Sequence, residues 1–380
     1  MEEYREYKTL MLILTENCNL NCVYCYEHHK TLDDMPFETA KRAIDAEFHD
    51  LDRYEHGEIE LFGGEPFLNF ALIKRIYDYV MDTYGKDNDI VFSTTTNGTL
   101  VHGKIQDWLR ERKDKFIVTL SLDGTPEIHN KNRPLRGGEG SFEHIDLDFF
   151  LECWPHCGAK MTFSDLNIGN FADGVIYVDQ CGFDPLATFA SGMNWKKPGT
   201  RELMMEQMEK LVEYYISNPE KKLCQMLNMN LALMFYPVDD DFRYCGAGLR
   251  KKCFDIQGNW YPCQGLSPLT VGHEAAKQFQ NRDFLNFRLS QDNPCRNCRW
   301  VRLCRTCYAA NYLETGCIER NCGDMCFINR LCMLASSRIK YERLLEKKEL
   351  TKDDQLELRA ILQIQQSVLD DPMQTDTTSC

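Results

Sequence analysis

Three cysteines crowd together near the N-terminus, in Thr15-Glu-Asn-Cys18-Asn-Leu-Asn-Cys22-Val-Tyr-Cys25. Thiolates are the usual ligands of iron–sulfur clusters. A cubane carries four irons, so three thiolates at this spacing hold three of them and leave the fourth open. An open iron is what a chelating cofactor needs. A zinc site and three coincidental thiols are the competing readings, although zinc usually draws paired cysteines from separate segments.

Further along the chain stand short polar motifs. Gly63-Gly64-Glu65-Pro66 places two glycines together, which lets backbone approach a ligand closely. Thr96-Asn97-Gly98 and Ser121-Leu122-Asp123-Gly124 offer small polar groups, and Arg133 offers a guanidinium suited to bidentate recognition of a carboxylate. For Asn97, Asp123 and Arg133 a loop-holding role stands beside ligand contact. A second crowd of thiols runs from Cys245 to Cys332 and includes Cys253, Cys263, Cys295-x2-Cys298-x5-Cys304-x2-Cys307, Cys317, Cys322 and Cys326. With little regular periodicity around them, these suggest a small domain built on metal clusters, with zinc sites or free thiols as alternatives. Cys181, Cys224 and Cys380 follow no such pattern. Cys153 and Cys157, at i and i+4, are expected to share a helix face as buried fillers. Met204, Met205, Met208, Leu211, Val212 and Tyr215 have helical spacing and read as core. His28 and His29 read as solvated loop residues.

The chain has 19 cysteines among 380 residues, and 43% of its residues are hydrophobic. Its core therefore needs no covalent staples, and the cysteines read as metal ligands in a reducing cytoplasm rather than as disulfides. The first residues are acidic and mixed, unlike an export signal. No apolar run is long enough to span a bilayer, so no membrane partner is expected. A net charge of −14 argues against a nucleic-acid partner.

The elements that must position these groups alternate. Apolar runs at 10–14, 58–62, 90–94, 116–120, 159–163 and 186–190 read as strands, with helices near 36–54, 69–84, 101–113, 141–153, 169–181 and 200–217. Such alternation implies a parallel α/β sheet. Six units are too few to close an eight-stranded barrel, so a partial (β/α)6 barrel is expected, with its ligand site at the carboxyl ends of the strands. The expected domains are a barrel over 1–235, a cysteine-rich domain over 236–332, and a C-terminal helix with a polar tail over 333–380.

Cys18-x3-Cys22-x2-Cys25, with Tyr24 before the third cysteine, resembles the radical S-adenosylmethionine superfamily. The resemblance extends to about residue 190. Gly63-Gly64-Glu65-Pro66 is similar to that family's GGEP loop, assigned to the cofactor's amino group. The Asn97, Ser121 and Asp123 loops resemble those near its ribose and methionyl portions, and Arg133 is similar to an arginine that pairs the cofactor's carboxylate. The resemblance implies cleavage of S-adenosylmethionine to a 5′-deoxyadenosyl radical, which abstracts hydrogen from substrate. The C-terminal cysteines resemble a SPASM extension with two auxiliary clusters, making three [4Fe-4S] clusters in all. That resemblance assigns Cys245, Cys253, Cys263 and Cys307 to the first auxiliary site and Cys295, Cys298, Cys304 and Cys326 to the second. The two-residue gap before Cys307 departs from the family's three, and Cys317 and Cys322 are spare.

Among such enzymes, the segment Cys304 to Tyr312 resembles maturases that crosslink ribosomally made peptides, for example through a cysteine-to-carbon thioether. The chain length resembles the anaerobic sulfatase-maturating enzymes, which make formylglycine. Those carry an aspartate base after the cysteine of the Gly-x4-Cys element, where this chain has Gln264, which takes no proton at neutral pH. An electron carrier without catalysis leaves the GGEP loop and the open-iron motif without purpose. The expected partners are a precursor peptide and a one-electron donor such as ferredoxin or flavodoxin. Because the first strand starts within ten residues, leader recognition is expected to fall to a separate leader-binding protein, the C-terminal helix or the barrel rim.

Overall fold

The computed structural model describes residues 7–370 other than 238–241, 281 and 322; the polar tail beyond 370, Cys322 and Cys380 lie outside the described residues. Its strands are β1 (Tyr7–Thr15), β2 (His56–Gly63), β3 (Ile90–Thr96), β4 (Phe116–Ser121), β5 (Gly158–Phe163), β6 (Asp184–Phe189), β7 (Lys251–Phe254) and β8 (Trp260–Tyr261). Its helices are α1 (Phe37–Phe48), α2 (Phe70–Thr83), α3 (Lys104–Arg110), α4 (Pro126–Asn132), α5 (Leu147–Cys153), α6 (Phe171–Gln180), α7 (Thr200–Ser217), α8 (Pro268–Val271), α9 (His273–Gln280), α10 (Tyr308–Thr315), α11 (Gly323–Leu345) and α12 (Lys352–Asp370). The expected strands correspond to β1 through β6, so the fold is the α/β, parallel-sheet class read from the sequence.

The chain divides into two compact units. One comprises Met1–Lys160, Cys181–Phe183 and Gly246–Phe287; the other comprises Met161–Gln180, Asp184–Cys245 and Arg288–Cys380. Part of the cysteine-rich segment, Lys251–Phe254, joins the sheet of the first unit. In that unit β1 is buried from Thr9 onward on both faces, as befits a central strand of a parallel sheet. On one side β1 pairs in parallel with β2, Leu10 opposite Ile59 and Leu12 opposite Leu61, and the sheet continues through β3 and β4 to the start of β5. On its other side β1 pairs in parallel with β7, Met11 opposite Cys253, and β7 pairs antiparallel with β8. Among the described residues this sheet stays open, with β8 at its edge.

Helix α2 shows why the crossovers form. Asn69 Oδ1 accepts from Leu72 N at 3.3 Å, and Ile73, Ile76 and Val80 repeat at helical spacing on the buried face. Helix α4 was not expected. Its signals are Pro126 at the first turn and the Thr125 hydroxyl accepting from Ile128 N at 3.4 Å. Cys153 and Cys157 do not share a helix. Helix α5 ends at Cys153, His156 turns the chain with φ 62°, and Cys157 Sγ donates to Val118 O at 3.2 Å. Both thiols are nonetheless buried.

In the second unit the end of β5 meets β6, Ala190 N donating to Phe163 O at 2.7 Å. Helix α7 buries Met204, Met208, Leu211, Val212 and Tyr215 as core, but Met205 is exposed because it faces away from that stripe. The expected single C-terminal helix is two, α11 and α12, packed on each other. A reciprocal cap starts the second: Asp354 N donates to Thr351 Oγ1 at 3.1 Å, and Thr351 N donates to Asp354 Oδ2 at 3.0 Å.

Candidate active site

Strand β1 delivers the three cysteines at its carboxyl end, and neighbouring loops fix them from several directions. Asn21 N donates to Pro134 O at 2.9 Å, Val23 N to Asn132 O at 3.0 Å, and Arg136 N to Asn19 O at 3.1 Å, which straps the loop to the end of α4. From the other side the glycine pair closes in. Gly64 N donates to Thr15 O at 3.0 Å and Glu65 N to Asn17 O at 2.9 Å. A Cβ on Gly63, whose φ is +137°, would lie 2.1 Å from Thr15 O, and one on Gly64 would lie 2.2 Å from Asn17 O and 3.0 Å from Cys18 Cβ. The glycines thus let the second loop lie against the cysteine loop.

Glu65 is 1% exposed. Its Oε1 accepts from Thr96 Oγ1 at 2.7 Å and from Phe67 N at 3.2 Å, and its Oε2 accepts from Asn97 N at 2.8 Å. Burial pushes its carboxyl up to about 7 against the pull of these donors. Pro66, also buried, opens the turn that follows. Asn97 is committed to the same loops: its Nδ2 donates to Asn19 Oδ1 at 2.8 Å, and its Oδ1 accepts from Thr99 N at 3.0 Å. Ser121 is buried at the end of β4.

Asp123 is fully buried against Arg133, with Nη2 donating to Oδ1 at 3.1 Å and Nε 3.1 Å from Oδ2. The Tyr24 hydroxyl donates to the same carboxylate, and the Arg133 guanidinium lies 5.4 Å from the Tyr24 ring centroid. Asp123 N donates to His129 Nδ1 at 3.4 Å; Ser141 Oγ donates to Arg133 O at 2.6 Å and lies 3.0 Å from His129 Nε2. This pattern requires the neutral imidazole with its proton on Nε2, and burial pushes His129 down to about 4. Sequence reasoning missed His129 and Ser141. They hold the pair from behind, and no motif marks them.

Among the sulfurs, Leu20 N donates to Cys18 Sγ at 3.5 Å, the Arg133 charge opposes the rise of Cys22, and Lys30 Nζ donates to Cys25 Sγ at 3.1 Å. Burial pushes the Cys18 thiol up to about 12 and raises Cys22. These thiols hold their protons at neutral pH unless a metal replaces them, and the donors aimed at sulfur fit metal-bound thiolates. Among the described residues no three His, Cys, Asp or Glu side chains gather around a point that one metal ion could occupy. A cubane makes no such demand, since each corner takes its own ligand.

Of the later cysteines, Cys253 and Cys263 lie in the first unit, where burial and then the Cys263 charge push Cys253 up. Cys245 and Cys307 lie in the second unit, both exposed. There too lie Cys295, Cys298, Cys304 and Cys326, all partly buried. Burial and then Cys295 and Cys304 raise the Tyr244 hydroxyl. Asn321 Nδ2 donates to Cys304 Sγ at 3.5 Å, and Arg305 N donates to Asn329 Oδ1 at 2.9 Å, tying this segment to α11. Cys317 is exposed. His28 and His29 are exposed, as expected.

Residues 12–146 match the Radical SAM superfamily model. The chain is 31% identical over 339 residues to the cysteine-type anaerobic sulfatase-maturating enzyme of Clostridium perfringens, across 77% of this chain and 85% of that protein. Its fold is similar to the structure of native anSMEcpe with bound AdoMet, with TM-score 0.67 and 19% identity over 89% of this chain and 100% of that one. It is also similar to Streptococcus suis SuiB bound to precursor peptide SuiA, with TM-score 0.52 and 15% identity over 83% of this chain and 74% of that one. With its ordered strand-end motifs and cysteine-rich C-terminal half, this chain belongs to the radical SAM superfamily, as a maturase of the type that includes the anaerobic sulfatase-maturating enzymes.

Proposed function

We propose that this chain is a cytoplasmic radical S-adenosylmethionine peptide maturase that crosslinks a ribosomally made precursor peptide through a cysteine-to-carbon thioether. Cys18, Cys22 and Cys25 hold a four-iron cluster by three corners, and Cys295, Cys298, Cys304 and Cys326 hold an auxiliary one. Cys253 and Cys263 contribute to a further auxiliary site. When bound, the first cluster and S-adenosylmethionine supply reductive C–S cleavage and hydrogen-atom abstraction. The protein's part is to orient and to exclude water. The Gly63–Pro66 and Asn97 loops fix the cysteine loop, and the backbone of the same loops borders the cofactor. Buried Thr94, Thr96, Ser121 and Asp123 keep the strand ends dry. Arg133, oriented by its ion pair with Asp123, offers further guanidinium N–H groups to a carboxylate. A ferredoxin or flavodoxin supplies the electron. No helix among the described residues is long and apolar enough to cross a membrane.

Gln264 carries the crosslinking reading. Its backbone carbonyl accepts from Ser267 Oγ at 2.7 Å and Thr270 Oγ1 at 3.1 Å, which fixes the residue next to Cys263. Its side-chain Oε1 is buried with no hydrogen-bond partner among the described residues. An amide there accepts a hydrogen bond but takes no proton, whereas formylglycine formation requires a base. The second reading is sulfatase maturation, favoured by the 31% identity across most of the Clostridium perfringens enzyme. Assay of a sulfatase-motif peptide with the unmodified chain and with Gln264→Asp discriminates between them. On the crosslinking reading it does not confer aldehyde formation on a sulfatase-motif peptide. Turnover of that peptide by the unmodified chain favours the second.

A further inference from the structure

The segment that follows Cys25 carries charges to which the proposed chemistry gives no task. Lys30 Nζ donates to Cys25 Sγ at 3.1 Å and lies 3.2 Å from Glu27 Oε2. Glu27 is 9% exposed and the Lys30 side chain 24% exposed, so a buried carboxylate and a partly buried ammonium stand beside a sulfur. Burying such a pair costs free energy that surface residues avoid. The ammonium does not swing freely at the end of its stem. Thr31 N and Thr31 Oγ1 donate to Glu16 Oε2 at 3.2 Å and 2.8 Å, and Glu16 N donates to Asp33 O at 3.0 Å. Glu16 is itself buried and follows directly on β1, so strand and loop together set where Lys30 begins.

We infer that Lys30 is a positioning residue that, held by Glu27, raises the reduction potential of the cluster bound at Cys18, Cys22 and Cys25. The inference rests on the cluster reading above. Reduction adds one electron to the cluster, and that charge is delocalised over its sulfurs. An N–H aimed at a ligand sulfur and a cation beside it stabilise the reduced form, since hydrogen bonds to sulfur and local net charge set such potentials. Glu27 acts in the opposite sense, because its carboxylate is a negative charge beside the same group. The ammonium is the nearer of the two, in direct contact with sulfur, so its effect dominates. The arrangement thus makes the first electron easier to accept, which is the step on which the rest of the chemistry depends.

The test is an EPR-monitored redox titration of the full-length, anaerobically reconstituted protein. It follows the reduced-cluster signal that S-adenosylmethionine perturbs, with iron content measured on every sample. Lys30→Met is expected to shift the midpoint to a more negative potential and Glu27→Gln to a more positive one, with Lys30→Arg close to the parent. A purely structural role moves neither midpoint, or moves both in the same direction; either result at unchanged iron content overturns the inference. If Lys30→Met loses iron, Glu27→Gln decides: a positive shift supports the inference and an unmoved midpoint overturns it. A parent protein with no signal that responds to S-adenosylmethionine overturns the cluster reading itself, and the inference with it.

Discussion

Gly64 stands so close to Asn17 that a Cβ on it would lie 2.2 Å from the Asn17 carbonyl oxygen and 3.0 Å from Cys18 Cβ. Backbone cannot yield there without moving the cysteine loop. Gly64→Ala is therefore expected to cost about 1–3 kcal/mol, the range of overpacking. It is also expected to lower iron content by one cluster's worth. Denaturant melts and iron analysis of the reconstituted variant check this; full iron with parent stability means the loop tolerates the methyl.

Three four-iron clusters amount to about twelve irons per chain. Changing Cys18, Cys22 and Cys25 together to Ala is expected to remove about four of them and to abolish 5′-deoxyadenosine formation. Parent iron that stays near one cluster's worth removes the auxiliary assignments.

Asp123 and Arg133 are buried together, and removing one leaves the other's charge uncompensated. Asp123→Asn is expected to destabilise the chain by about 3–5 kcal/mol. Tyr24→Phe, which removes one hydroxyl donor to that carboxylate, is expected to cost about 1–2 kcal/mol. Urea unfolding of the two variants orders them. A Tyr24→Phe loss equal to that of Asp123→Asn argues against the ion pair as the dominant element.

Glu65 titrates near 7 in the folded chain against an ordinary value of 4.5. The folded state therefore holds this proton more tightly than the unfolded state. The stability it contributes is present below about 4.5 and is lost as pH rises to about 7, by an amount on the order of 3 kcal/mol. Glu65→Gln has no such titration. The difference in unfolding free energy between parent and variant, measured from pH 5 to pH 8, is expected to change in that direction and then level off.

The strands and the cysteine motif were legible in the sequence because their signals are local. Leu10 to Leu14 is a continuous apolar run, and Cys18, Cys22 and Cys25 sit in the loop that follows it. What the glycines approach was not legible. Gly63 and Gly64 announce a close approach, but their partner is the loop at Thr15 and Asn17, some fifty residues earlier. The pairing of β7 with β1 was hidden for a similar reason. Lys251–Phe254 is four residues long and meets β1 from more than two hundred positions away. Asp123 and Arg133 were each visible as polar candidates. Their mutual pairing depends on α4 folding between them, a helix absent from those expected, none of which lies between 113 and 141.

The central claim is that this chain uses radical chemistry to crosslink a peptide, and mass spectrometry with both substrate types tests it most directly. The reconstituted protein, a reductant and S-adenosylmethionine are incubated with a cysteine-containing precursor peptide and, separately, with a sulfatase-motif peptide. The precursor is predicted to lose a pair of hydrogens and one alkylatable thiol per crosslink, with 5′-deoxyadenosine formed alongside, while the sulfatase-motif peptide stays unchanged. Conversion of the sulfatase-motif peptide to the aldehyde, with every precursor left unmodified, would contradict it.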